Sequence, residues 1–143
     1  MNLVIIPSSL IDYMWDDIEP LLYKAEELLP VSERSELSDY KHHLIDGSWL
    51  CLIQLIDDTV ISACLLKTYV FENTKVLYIM SMGGNIKDTR DEHMKYFTAI
   101  AQQEQCTEIR FDSERKGWGR FLTQQGFEKQ PTPYVYFMKG EQK

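Results

Sequence analysis

The chain of 143 residues, 44% hydrophobic and 12% aromatic, is long enough for one domain with a proper core and too apolar for a disordered segment. Its formal charge of −7 argues against non-specific nucleic-acid binding, which needs a basic surface that displaces counterions from phosphates, and suits a chain that is simply soluble or one that attracts a cationic partner such as an amine or lysine. No apolar run approaches the length of a membrane span, and the short apolar start before Pro7 lacks a basic leader, so a cytoplasmic protein without a membrane partner is expected.

Residues 3–6 read as a first strand, stopped by Pro7, with Ser9 and Asp12 placed to cap a helix. Leu10, Met14, Ile18, Leu21, Leu22, Ala25, Leu28 and Leu29 then form an apolar stripe at helical spacing. Pro20 either kinks that helix or restarts it, and Pro30 closes it. A second helix, capped by Ser32 or Ser35, carries Leu37, Tyr40, Leu44 and Ile45 and ends at Gly47. Residues 49–56 and 59–70 are rich in β-formers around an Asp57-Asp58 turn, and Glu72-Asn73-Thr74 leads into a third run at 75–82. These three strands make an antiparallel meander.

After Gly83-Gly84-Asn85, Thr89 and Glu92 suit a capping box for a helix bearing Met94, Phe97, Ile100 and Ala101. A helix between the strand ending near Met82 and the next strand, 107–112, is a crossover connection, which makes those two strands parallel. A short helix follows, with Trp118, Phe121 and Leu122 on one face and a Gly126-Phe127 stop. Residues 134–138 form the last strand.

Several residue types invite a chemical reading and also have a plainer one. Cys51, Cys64 and Cys106 are an odd set without CxxC spacing and read as reduced core thiols. His42, His43 and Asp46 sit within one helical turn, yet such a pair near a helix end is ordinarily surface, and no metal is assigned. Asp112 and Ser113, at the carboxyl end of a predicted parallel strand, either orient an amine or a water or cap the next helix. Tyr134 and Tyr136 share one face of the last strand, as phenols presented to a ligand or as half-buried aromatics.

The spacing of Trp118, Leu122, Gly126 and Phe127 resembles the end of the GNAT superfamily of acyl-CoA-dependent N-acyltransferases. The order strand, two helices, meander, helix, strand, helix, strand is similar to that family over nearly the whole chain. The bacteriophage-encoded members are similar in further local features. These are Ile18 to Leu22, Asp46 to Leu50, the Gly83-Gly84 pair, and Arg115 to Trp118.

The resemblance implies a single α/β (α+β) domain over 1–143. Its sheet would be mixed and mostly antiparallel, with a splayed parallel pair in the centre and helices on both faces. It also implies acetyl-CoA in the notch, with Met80, Ser81 and Met82 along the pantetheine and Gly83, Gly84 and Asn85 at the pyrophosphate. Lys87, Arg90, Arg115, Lys116 and Arg120 supply positive charge nearby. The acceptor would be a small amine or a protein lysine. Catalytic residues are not assigned by the resemblance, and Asp112, Ser113 and Tyr134 are the candidates.

Two departures stand out. Family members have a compact Arg/Gln-x-x-Gly-x-Gly/Ala run, whereas 82–89 keeps only the glycine pair. The position of the usual general-acid Tyr holds Leu122, which cannot protonate a thiolate. Trp118 also stands where such helices have a small residue beside the cofactor. These departures imply a second expectation: a non-enzymatic phage virion or host-interaction protein with a vestigial notch.

Overall fold

The computed structural model describes residues 2–26, 37–111, 128–129 and 134–137. The strands are β1 (Asn2–Ile5), β2 (Trp49–Ile56), β3 (Thr59–Phe71), β4 (Thr74–Gly84), β5 (Glu108–Phe111), β6 (Glu128–Lys129) and β7 (Tyr134–Phe137). The helices are α1 (Ile11–Glu26), α2 (Leu37–Ile45) and α3 (Arg90–Gln103). Hydrogen bonding orders the strands β1-β2-β3-β4-β5-β7-β6. The chain divides into two compact units, Met1–Leu66 with Ser81–Thr89 and Lys67–Met80 with Arg90–Lys143, and β3 and β4 run from one to the other. None of the described helices is long and apolar enough to cross a membrane.

In the first unit, β1 pairs antiparallel with β2 from Asn2↔Leu55 to Ile5↔Leu52, and the Ile6 N–H extends the ladder to the Cys51 carbonyl at 3.0 Å. After Pro7 a 3-10 turn at Ser8–Leu10 precedes α1. Ile11, Trp15, Ile18 and Leu22 fall at helical spacing and are all buried, which fixes the inner face of α1. Pro20 lies inside this helix and neither ends nor restarts it. The physical reason is exposure: Pro20 and Asp16 both face solvent, so water can serve the Asp16 carbonyl that loses its N–H partner.

The helix α2 ends at Gly47, whose φ of +83° is left-handed. The Asp46 carboxylate accepts the Ser48 N–H at 2.8 Å, and the His43 ring stacks on Trp49 at 4.2 Å between centroids. His43 and Asp46 therefore both shape the corner into β2. The turn into β3 puts Asp57 and Asp58 at φ 49° and 64°, the geometry a two-residue hairpin requires.

In the second unit, Glu72 and Asn73 repeat that left-handed pair at φ 51° and 67°. Residues of β4 and β5 pair in parallel from Val76↔Glu108 to Ile79↔Phe111, joined by the crossover α3, as the sequence predicts. Buried Met94, Phe97, Ile100 and Ala101 line the inner stripe of α3. The helix stops without glycine: Gln105 adopts φ 60° and the Cys106 N–H bonds the Ala101 carbonyl at 2.8 Å. β7 pairs antiparallel with β5 and with the short β6, a strand that the sequence reading lacks. β4 is two residues longer than expected at its end and takes in both glycines.

Candidate functional site

Among the described residues the parallel pairing runs as far as Ile79↔Phe111, and β4 continues from Met80 to Gly84. This last stretch of β4 delivers the chain to a turn of residues 85–89 that leads directly into α3. Two close approaches determine how it gets there. A Cβ on Gly83 would fall on the backbone of α1, within the Leu21 carbonyl oxygen and 2.6 Å from its carbon. Gly84, at φ +96°, lies against β3, where a Cβ would meet the Ser62 Cα at 2.8 Å. Both glycines are thus needed for backbone contact, whatever else binds there.

Beyond Gly84, the Asn85 N–H donates to the Ile61 carbonyl at 3.1 Å and the Thr89 N–H to the Ile86 carbonyl at 2.9 Å. Among the described residues, the N–H groups of Ile86, Lys87 and Asp88 have no backbone acceptor. Three consecutive amides ahead of a 14-residue helix are an electrostatic setting for an anion. The local charge opposes it: Lys87 and Arg90 stand against Asp88, Asp91 and Glu92. Those carboxylates already complement the helix dipole, so an anionic ligand would have to win against them.

Behind the turn lies a buried polar cluster. Gln54 Oε1 accepts hydrogen bonds from Ser62 Oγ at 3.1 Å and Thr89 Oγ1 at 3.3 Å. Gln54 is 1% exposed and Ser62 fully buried. In the second unit, fully buried His93 tilts against Phe97 with centroids 6.1 Å apart. Tyr69 and Tyr78 meet edge to face at 6.1 Å, and Lys67 lies over both rings.

Solved structures share this arrangement of elements. A predicted acetyltransferase from Clostridium acetobutylicum, solved with acetyl-CoA, superposes with a TM-score of 0.66 at 11% identity, covering 90% of each chain. An agmatine N-acetyltransferase matches with a TM-score of 0.67 at 9% identity over 96% of this chain and 100% of its own. A GCN5-related N-acetyltransferase from Ralstonia eutropha matches with a TM-score of 0.64 at 11% identity, over 92% and 95%. The fold is that of the GNAT acetyltransferases. No protein-family model matches the sequence, and no curated protein matches it.

Within this GNAT fold, Met80 and Ser81 are half-buried near the end of β4, and Met82 is 5% exposed. Gly83 and Gly84 close the strand, and Asn85 and Lys87 belong to the turn. Tyr134 lies on β7 in register with Phe111 of β5. Asp112, Ser113, Arg115, Lys116, Trp118, Arg120, Leu122 and the Gly126-Phe127 stop lie outside the described residues.

The Gln54–Ser62–Thr89 cluster and buried His93 are absent from the sequence reading. Gln54 carries a signal: it is the one amide in the otherwise apolar run 49–56. All three cysteines are buried, and none of them forms a disulfide among the described residues. Burial pushes the Cys51 thiol up to about 12, so it packs and does not react as a thiolate.

Proposed function

We propose that this chain binds an acyl-CoA at the end of β4 and transfers the acyl group to an amine. The observation that carries the reading is the turn between β4 and α3, where the amides of Ile86, Lys87 and Asp88 lack a backbone acceptor among the described residues. They suit the CoA pyrophosphate, and the half-buried Met80 and Ser81 suit its pantetheine arm. Acyl-CoA supplies an activated thioester carbonyl; the amine nitrogen forms the new C–N bond as the C–S bond breaks. The amine's proton leaves to a base and the thiolate takes one up, and Asp112, Ser113 and Tyr134 are the proposed residues for these steps.

The solved relatives include an enzyme named for agmatine, a cationic amine. A net charge of −7 suits such an acceptor, whether a small amine or a protein lysine. The test is calorimetric titration of acetyl-CoA, followed by mass spectrometry of amines incubated with both. Acetyl-CoA binding with a product heavier by one acetyl group is expected; no heat at millimolar ligand refutes the reading.

A second reading rests on a specific observation. Gly83 and Gly84 are taken up by contacts with α1 and β3, and Leu122 replaces the family's acid. On this reading the GNAT fold serves as a bacteriophage virion or host-interaction component. Purified particles would then contain the protein at stoichiometric abundance by mass spectrometry, and its absence from them would overturn the idea.

A further inference from the structure

From the buried cluster beneath the turn, we infer that Gln54 is a positioning residue for the anion-binding turn, acting through Thr89 and Ser62. The inference rests on the acyl-CoA reading above and adds a residue on β2.

A side-chain amide within β2, among buried Cys51, Leu52 and Ile53, is costly unless its polar atoms are bonded. A leucine or methionine would fill the space without that cost, so the amide needs another reason to be there. Its carbonyl oxygen supplies one by joining two elements. One partner, Ser62, lies on β3. The other, Thr89, is 35 residues away in sequence and is the residue immediately before α3.

The residues around Ser62 also hold the other end of the turn. The Asn85 N–H bonds the Ile61 carbonyl at 3.1 Å, and Gly84 rests on Ile61 and Ser62. The Thr89 hydroxyl lies 3.2 Å from the Ile86 carbonyl as well as 3.3 Å from Gln54. The turn is therefore tied at Gly84-Asn85 and at Thr89 to one patch of β2 and β3. Between the ties lie Ile86, Lys87 and Asp88, the residues whose amides are proposed to meet the pyrophosphate. A backbone anion site works only when its donors are held in place before the ligand arrives.

The experiment compares two ligands in two variants. Wild type, Gln54→Met and Thr89→Val are titrated with CoA and with pantetheine, which lacks the pyrophosphate and nucleotide, while thermal melts verify that each variant is folded. Gln54→Met keeps the length of the side chain and removes its acceptor; Thr89→Val removes only the hydroxyl. Both variants are expected to weaken CoA binding about tenfold, the scale of one lost hydrogen bond, with pantetheine binding unchanged. The double variant is expected to be no worse than either single one, because both break the same tie. Equal weakening toward both ligands, or unchanged CoA binding, overturns the positioning role while leaving the acyl-CoA reading intact. Failure of the wild type to bind CoA overturns that reading and the inference with it.

Discussion

Replacing Gly83 with alanine puts a methyl group where the backbone of α1 already is. The added carbon would fall within the Leu21 carbonyl oxygen, 2.6 Å from the carbonyl carbon and 3.3 Å from the Leu22 nitrogen. No side-chain rotation relieves such a clash, because all three atoms are main chain. Helix α1 must shift, and Ile18 and Leu22, both fully buried, shift with it. Overpacking of this kind costs about 1–3 kcal/mol, and a main-chain obstacle belongs at the upper end. For a chain of this size, about 3 kcal/mol lowers Tm by roughly 10 °C. The assay is urea unfolding beside calorimetry, with Gly47→Ala as the internal comparison. Gly47 has φ +83° and nothing within 4 Å of an added Cβ, so its replacement pays only left-handed strain, about 1–2 kcal/mol. A Gly83→Ala protein no less stable than Gly47→Ala would refute the close packing of α1 on β4.

Pro20→Ala is expected to stabilise the protein. It restores a helix hydrogen bond and removes an interior proline in α1, against a smaller entropy gain of the unfolded chain, for a net of about 1–2 kcal/mol by urea unfolding. The Cys51 thiol, raised by burial from 9.0 to about 12, favours the folded state below pH 9, and that contribution is lost as pH rises from 9 through 12. Melting curves should show this alkaline loss shrinking in Cys51→Ala. Asp46 is held below its usual value by the Ser48 side chain and N–H, then by the neighbouring His43 and His42. Its contribution is present above the ordinary carboxylate value of 3.8 and is lost as pH falls through the lowered one. A carboxyl NMR titration should find the Asp46 midpoint rising in Ser48→Ala.

The legible parts of the fold were those set by local periodicity and turn chemistry. Asp57-Asp58 and Asn73 mark the hairpin turns because Asp and Asn are among the few non-glycine residues that tolerate left-handed conformations, whereas Glu72 at φ 51° carries no such preference. The apolar stripe of α3 and its position between two strands fixed the parallel pair. Pro20 was ambiguous because its effect depends on whether Asp16 faces water, which the local sequence does not specify.

Site features followed another rule. The glycine pair was visible, but its contacts with Leu21 and Ser62 come from tertiary approach, about sixty and twenty residues away in the chain. Gln54 is absent from the sequence reading although it is a lone amide in an apolar run, and its partner Thr89, 35 residues distant, gives no local hint of the bond. Leu122, which the GNAT resemblance sets in the position of an acid, remains a reading of the sequence alone.

The most direct test of the account is amide NMR of the isotope-labelled protein during titration with CoA. Binding at the end of β4 predicts the largest shifts at Ile86, Lys87 and Asp88, with smaller ones at Thr89 and Gly84. Shifts confined to other parts of the chain, or none at millimolar CoA, would contradict it.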